Sequence, residues 1–239
     1  MFGIRLPVRR AGKDEAEKPF WISFSDMMTA LMVLFLVAMT VALLAVTNDI
    51  SAAEREKSQR EKEIAELLKR IEESSKMFPG IKIRGHSIDF GERARFETDS
   101  NKLTSEQGKL LRSFAPAILS VARDPMGQKW LKRVIVEGFA DKRGTYLHNL
   151  NLSMQRSERV LCAFMARPEN DETTLSDSDR RLIREIFLVG GSSFNSLKST
   201  MEESRRIELK LEFLDIGEKR ALSPNLTLAD EPMCPLDCP

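Results

Sequence analysis

Residues 22–46 read ISFSDMMTALMVLFLVAMTVALLAV, an almost unbroken apolar run of 25 residues. A helix rises about 1.5 Å per residue, so about 20 residues cross a hydrocarbon core roughly 30 Å thick. A cleavable signal peptide would have an apolar region of only about 7–15 residues followed by a small-residue cleavage site, which Leu44-Ala45-Val46-Thr47 does not offer. The run therefore predicts an uncleaved transmembrane helix, which we place at residues 20–46.

The charges that flank this run predict its orientation. Five cations precede it, namely Arg5, Arg9, Arg10, Lys13 and Lys18, whereas residues 47–61 hold Arg55, Lys57 and Arg60. Because cytoplasmic flanks carry the excess of Lys and Arg, residues 1–19 are expected in the cytoplasm. Phe20 and Trp21 stand where an aromatic interface anchor belongs. Everything after the run would then face the periplasm.

One acid, Asp26, lies about one turn inside the apolar run, with Ser23, Ser25 and Thr29 around it. An ionised Asp at the centre of a membrane helix costs about 2.5–3.5 kcal/mol. A side chain that snorkels to the nearby interface or caps the start of the helix would be a purely structural explanation. Acids within a membrane are functional by default, so the position predicts an ion-carrying role for Asp26.

Residues 47–80 change character and predict a charged helical segment. Ile64, Leu67, Leu68 and Ile71 recur at helical spacing, whereas residues 51–62 have almost no apolar stripe. Two interpretations fit this pattern equally: a stalk or short parallel coiled coil that continues the membrane helix, and a solvated linker helix held by Glu–Lys pairs. Pro79-Gly80 ends the segment.

Residues 81–214 alternate between strand and helix patterns and predict one globular domain. The expected elements are a hairpin around Gly85, a helix opened by a capping box at Thr104 and Gln107, a strand over 131–138, a helix over 149–165 and a closing strand over 205–213. Strands separated by helices predict an α/β or α+β layer sandwich.

Two further parts of the chain surround or interrupt these elements. An exposed loop and an added helix over 176–186 are expected within residues 167–188, with no function assigned to them. Residues 215–239 are expected to form a C-terminal tail.

The composition argues against several function classes. The formal net charge is +1, so no overall field favours nucleic acid or an acidic substrate. His86 and His148 stand alone without the spacing of metal ligands, and no catalytic triad or P-loop pattern is present. We therefore predict a non-enzymatic protein with no metal, no cofactor and no direct contact with nucleic acid.

The chain has three cysteines, Cys162, Cys234 and Cys238. A periplasmic domain permits disulfides. Cys162 falls on the apolar face of its helix, which favours a buried thiol, whereas Cys234 and Cys238 bracket Pro235 in the tail. A bridge within the tail, a bridge from the tail to Cys162 and a bridge between two chains all remain open.

The membrane segment resembles a known family. Residues 21–39, WISFSDMMTALMVLFLVAM, are similar to the ion-carrying helix of MotB-type stator subunits, with an aromatic start, a small residue before the acid and Met-Thr after it. In that family the matching acid takes up a proton from outside and releases it inward. The resemblance implies that Asp26 carries protons.

A second resemblance lies in the globular domain. Residues 138–157, GFADKRGTYLHNLNLSMQRS, resemble the peptidoglycan-binding loop and helix of OmpA-like domains, and the likeness extends over roughly residues 81–214. The family's usual His-Thr before the acid is Phe139-Ala140 here, so two polar groups are absent and ligand affinity or choice is expected to differ. The fold implied is an OmpA-like layer sandwich.

This second resemblance implies a set of peptidoglycan-binding residues. Asp141 would accept the amine of a zwitterionic stem-peptide amino acid, and Arg156 would fork onto its carboxylate. Asn149 would fix the loop, Leu152 would pack under it, and His148 lies in the same matched segment. The structural alternative is an Asp–Arg pair that merely braces the loop.

Together, the resemblances imply a stator subunit that anchors a proton-driven inner-membrane motor to the cell wall. Such chains form a homodimer inside a ring of five larger MotA-like membrane subunits. Residues 19–26, PFWISFSD, are most similar to B subunits of Zorya-type anti-phage defence systems, with a flagellar stator as the alternative. A purely structural wall tether would have no use for Asp26. Subunits of the ExbD or TolR type usually lack the loop that carries Asp141.

Overall fold

The computed structural model describes residues 17–167 and 172–220, and for residues 17–20 and 22 it describes the helical backbone alone. The chain divides into two compact units, and the boundary between them falls between Glu56 and Lys57. This boundary lies inside one long helix, α1 (Glu17–Ser75). The predicted terminal segments 1–19 and 215–239 lie partly outside the described residues.

The first unit consists, in its described part, of residues 17–56 of α1, which contain the apolar run. All described side chains from Ser23 to Ile50 are exposed, and an 18-residue window within the helix has a mean hydropathy of 2.7. In the described part of the chain, α1 alone is long and apolar enough to cross a membrane. The hydroxyl of Thr29 donates to the Ser25 carbonyl at 2.8 Å, so this polar group is satisfied within the helix, as a hydrocarbon surrounding requires.

The second unit contains a five-stranded sheet of order β1-β2-β5-β3-β4. The strands are β1 (Lys82–Arg84), β2 (Ser87–Asp89), β3 (Leu131–Gly138), β4 (Phe187–Gly191) and β5 (Ile207–Phe213). Neighbours are antiparallel except β3 and β4, which are parallel. The predicted hairpin around Gly85, the strand over 131–138 and the closing strand are confirmed.

The edge strand β4 was not predicted. It follows a helix without a break, and its apolar run Phe187-Leu188-Val189 is too short for periodicity to separate a strand from the end of that helix. Parallel pairing with β3, from Val134 opposite Phe187 to Gly138 opposite Gly191, defines it.

Within residues 76–167 and 172–220, five helices and one 3-10 turn accompany the sheet. They are α2 (Ser105–Arg123), α3 (Pro125–Trp130), α4 (Tyr146–Met165), α5 (Asp177–Ile186), α6 (Met201–Ser204) and the 3-10 helix Gly91–Ala94. The predicted capping box at the start of α2 is confirmed, because Thr104 Oγ1 accepts from the Gln107 amide at 3.2 Å and Gln107 Oε1 accepts from the Thr104 amide at 2.9 Å. The helix predicted within 167–188 is α5, capped by Ser176.

Glycines let α4 lie unusually close to the sheet. A Cβ atom on Gly138, at the end of β3, would come within 2.0 Å of the Ser153 carbonyl oxygen, and one on Gly191, at the end of β4, within 2.5 Å of Met154 Cγ. The first half of α4 is therefore fixed directly above the ends of β3 and β4. The predicted fold class, one N-terminal apolar helix and a mixed α/β layer domain, is confirmed.

The last part of α1 belongs to the globular unit. Leu67 and Ile71 are 0% and 1% exposed and join the domain core, and Arg60 Nε donates to the Leu214 carbonyl at 2.8 Å. From residue 57 onward the structure thus differs from the stalk predicted over 47–80. The apolar stripe that contains Leu67 and Ile71 packs into the chain's own domain. It therefore neither pairs with a second helix, as in a coiled coil, nor faces solvent, as in a linker helix.

A polar cluster around Glu63 ties this part of α1 to the start of β3. The Glu63 carboxylate accepts from Gln59 Nε2 at 2.8 Å, from the indole N–H of Trp130, and from Lys129 Nζ at 2.9 Å. These hydrogen bonds, that from Gln59 foremost, lower the pKa of Glu63 to about 2. Trp130 directly precedes β3 in the chain.

Substitution of Leu67 tests this docking. We expect Leu67→Ala to lower the free energy of unfolding of the domain by about 2–5 kcal/mol, because it leaves a cavity in a closed core. The half-buried neighbour Leu68 provides the control, and Leu68→Ala should cost clearly less. Chemical unfolding of the full chain in detergent, followed by Trp130 fluorescence, measures both. Equal losses in the two variants would contradict the packing described here.

Candidate functional site

A cavity of about 220 Å³ lies where β3 ends and α4 begins. Its walls come from Thr98 and Asp99, from the loop after β3, from the first half of α4 and from Arg205. All five residues predicted to bind peptidoglycan line it, namely Asp141, His148, Asn149, Leu152 and Arg156. The structure thus brings the predicted set together in one place.

Asp141 is the buried acid of this cavity, with 5% of its surface exposed. Its Oδ1 accepts from the Arg143 amide at 3.0 Å and from Arg143 Nε at 3.2 Å. Its Oδ2 accepts from Arg205 Nη1 at 3.1 Å and from the Arg143 guanidinium. These bonds, above all those from Arg143, lower the pKa of Asp141 to about 2, so the carboxylate is ionised at physiological pH.

Arg156 is fully buried and serves as a brace. Its Nε donates to the Ser100 carbonyl at 2.9 Å, Nη1 to the Phe139 carbonyl at 2.8 Å, and Nη2 to the Glu97 carbonyl at 3.0 Å. Burial lowers the pKa of Arg156 to about 10. A guanidinium has five N–H groups, so these bonds leave one on each terminal nitrogen for a ligand. The predicted fork onto a carboxylate is thus reduced to those two groups.

Asn149 holds the loop in the way the sequence predicts. Its Nδ2 donates to the Arg143 carbonyl at 2.6 Å, and the residue is only 3% exposed. The loop turns at Gly144, whose φ of +91° favours glycine. Leu152 is 9% exposed and lies in the wall beneath this loop.

His148 forms the exposed rim of the cavity. Its Nε2 lies 2.7 Å from Asp99 Oδ1. Asp99 has a φ of +53°, a left-handed conformation that is uncommon outside glycine, asparagine and aspartate. The rim therefore carries an acid and an imidazole side by side, both open to solvent.

Arg205 is a site residue that the sequence reasoning missed. It is 7% exposed, and its Nε donates to the Phe96 carbonyl at 2.9 Å while Nη1 reaches Asp141. Two consecutive arginines, Arg205 and Arg206, stand at the start of the closing strand, and this pair could have indicated a cationic group near the cavity. Arg206 lies over the ring of Phe139, with the guanidinium carbon 3.9 Å from the ring centroid. Phe139 thus replaces a polar group of the resembled loop with a buried cation–π contact.

The remaining predicted site residues lie elsewhere. Asp26 is in the apolar part of α1, with its side chain exposed. Cys162 on α4 is 7% exposed and disulfide-bonded. The other two cysteines, Cys234 and Cys238, are outside the described residues.

Two comparisons of sequence bear on this arrangement. Residues 8–46 match the family model described as the membrane MotB of the proton-channel complex MotA/MotB. The chain is also 41% identical to the Zorya protein ZorB of Escherichia coli O139:H28, over 92% of this chain and 91% of that protein. The chain belongs to the ZorB family. The prediction of a MotB-type subunit of the Zorya kind is therefore confirmed.

Solved structures similar to this ZorB-family chain come from several bacteria. The putative MotB-like protein of Desulfovibrio vulgaris is 14% identical with a TM-score of 0.38, over 65% of this chain and 94% of that chain. The OmpA-like domain of a Francisella tularensis protein is 18% identical with a TM-score of 0.35, over 56% and 82%. The periplasmic domain of Helicobacter pylori MotB is 12% identical with a TM-score of 0.37, over 55% and 80%.

Proposed function

We propose that this ZorB-family chain is the wall-anchored stator subunit of a proton-driven motor in Zorya anti-phage defence. The observation that carries the proposal is one acid, Asp26, inside an apolar helix on the same chain as a cavity that gathers Asp141 and three arginines. Asp26 can exchange a proton in the membrane, and the cavity can hold a charged ligand outside the membrane.

The membrane half of the proposal concerns the proton. Asp26 is the only Asp, Glu, Lys or Arg between residues 22 and 46. Because a charge in hydrocarbon is costly, the carboxyl changes its preferred surroundings when it gains or loses a proton. Alternate protonation would then shift the contacts of the helix with successive subunits of a surrounding ring, which drives relative rotation.

The wall half of the proposal concerns the cavity. A stem-peptide amino acid presents an ammonium and a carboxylate. Asp141 supplies a buried ionised acceptor for the first, and the two remaining N–H groups of Arg156 supply donors for the second. Asn149 and Leu152 shape the cavity, and His148 stands at its rim. The cavity, with a volume of about 220 Å³, has room for one amino acid of this kind.

The assembly is proposed from family membership and charge. Two copies of the chain stand inside a ring of five MotA-like or ZorA-like subunits, with lipid around the ring. The N-terminal segment faces the cytoplasm, as its excess of cations indicates, and the domain faces the periplasmic peptidoglycan. The chain works by proton transfer and ligand binding and is not an enzyme.

Sedimentation with purified sacculi tests the wall half. We expect Asp141→Asn to weaken binding of the full chain in detergent about tenfold or more, because a charge-assisted hydrogen bond contributes about 1.5–3 kcal/mol. Asp215→Asn makes the same chemical change at an exposed site outside the cavity and should bind like the unmodified chain. Unchanged binding in Asp141→Asn would refute the ligand role of this acid.

A further inference from the structure

The carboxylate of Asp141 has no free place for a ligand in this structure. Two carboxylate oxygens offer about four lone-pair sites. Four donors converge on these oxygens: the amide, Nε and Nη2 of Arg143, and Nη1 of Arg205. They make five contacts, because Nε of Arg143 reaches both oxygens. A ligand ammonium could reach Asp141 only if one of these donors left.

The two arginines differ in how easily they could leave. The side chain of Arg205 is 9% exposed and is fixed by a second bond from Nε to the Phe96 carbonyl. The side chain of Arg143 is 48% exposed, and besides Asp141 it donates from Nη2 to Thr98 Oγ1 at 3.0 Å and lies in the field of the Glu202 carboxylate. The Arg143 guanidinium can therefore be solvated when it leaves Asp141, whereas that of Arg205 would stay buried.

The backbone of Arg143 is held independently of its side chain. Its amide donates to Asp141 Oδ1, and its carbonyl accepts from Asn149 Nδ2. Neither bond involves the guanidinium. The side chain can therefore swing out while the loop keeps its shape.

We propose that the Arg143 guanidinium is a built-in competitor that occupies the ammonium position on Asp141 and must be displaced when ligand binds. The inference rests on the proposed wall-binding function and deepens it. When Arg143 leaves, Arg205 remains beside this buried carboxylate, and a ligand ammonium restores the second positive charge that a neutral ligand would not supply. The site thereby selects an amino-acid ligand with a free ammonium group.

The low pKa of Asp141 agrees with an exchange of cations. With Arg143 in place the acid is ionised at physiological pH. The Arg143 amide and Arg205 Nη1 still donate to the carboxylate when the Arg143 guanidinium leaves. The charged groups facing it are Arg143, Arg205 and, more distantly, Arg156. One of these three changes partner on binding.

Calorimetric titration of the full chain in detergent with meso-diaminopimelic acid tests the competition. We expect Arg143→Gln to bind this probe about three- to fivefold more tightly than the unmodified chain, because the ion pair between Arg143 and Asp141 no longer has to be broken. Lys142→Gln is the matched control, since it removes the same charge from the neighbouring exposed position of the same loop. It should bind with unchanged affinity.

A second probe separates charge from shape. Pimelic acid is the same seven-carbon dicarboxylic acid without the two ammonium groups and adds no bulk, and we expect it to bind the unmodified chain at least tenfold more weakly. Weaker or equal binding of the first probe by Arg143→Gln would overturn the competition, as would equal binding of the two probes. If sacculi binding still depends on Asp141 in that case, the wall-binding function stands and only the role of Arg143 is refuted. If Asp141→Asn changes neither assay, the wall-binding function itself is refuted.

Discussion

In Asp26→Asn, proton flux through the assembled complex should fall to background, and cells carrying that variant should lose protection against phage. Asparagine fills the same volume and forms similar hydrogen bonds, but it cannot take up or release a proton. Because Asp26 is the only ionisable residue between residues 22 and 46, no neighbouring side chain in this stretch can replace it. Flux is measured by pH-sensitive dye in vesicles that contain the chain with its ring partner, and protection by phage plating.

The same helix supplies the control for this experiment. Asp49 lies in α1 beyond the apolar run and is exposed. Asp49→Asn makes the same chemical change without removing a charge from the predicted span, so flux and protection should persist. Asp26→Glu keeps a titratable carboxyl and should retain part of the flux. Full protection and full flux in Asp26→Asn would eliminate the proton-carrying role.

Arg156→Gln should lower the free energy of unfolding of the domain by about 3–5 kcal/mol. The substitution removes donors from three carbonyls in a buried setting, and each unsatisfied buried group costs about 1–3 kcal/mol. Part of this loss is offset because a buried guanidinium is itself costly to desolvate. Chemical unfolding in detergent, followed by Trp130 fluorescence, measures the change.

Arg143→Gln is the matched control for Arg156→Gln, since it makes the same change at a half-exposed guanidinium in the same cavity. It should cost clearly less than Arg156→Gln, because Arg205 still donates to Asp141 and the lost guanidinium is half-exposed. Similar stabilities for the two variants would show that Arg156 does not brace the loop. The prediction also bears on binding assays, because reduced wall binding in an Arg156 variant is evidence for a ligand contact only when the variant is folded.

Local patterns were enough to predict much of the domain. The capping box at Thr104, the hairpin around Gly85 and the strand over 131–138 each depend on residues within a few positions of one another, so periodicity and turn chemistry specify them. The predicted cavity residues come from one continuous segment, 141–156, and a strand followed by a helix brings them together. The resemblance of this one segment to OmpA-like domains therefore located the candidate site.

The contacts that could not be predicted join residues that lie far apart in the sequence. Two of the three carbonyls that bond Arg156 belong to Glu97 and Ser100, more than 50 positions away, and Arg205 reaches Asp141 across 64 positions. A motif specifies a residue type at a position but not which donors are already engaged in the folded chain. The docking of Leu67 was missed for the same reason, because a helical stripe shows that a face is buried without showing what buries it.

Strand β3 joins two features that have so far been treated separately. Trp130 directly precedes β3 and donates a hydrogen bond to Glu63 of α1. Asp141 lies just beyond the C-terminal end of the same strand. A tension applied between the cavity and Glu63 would therefore run along β3. Both points of attachment lie on this one chain segment, so the covalent backbone of β3 would carry the load and its hydrogen bonds to β4 and β5 would not be pulled apart. In the proposed wall anchor, the path of force from the ligand to α1 is thereby shortened to a single strand and the bond between Trp130 and Glu63.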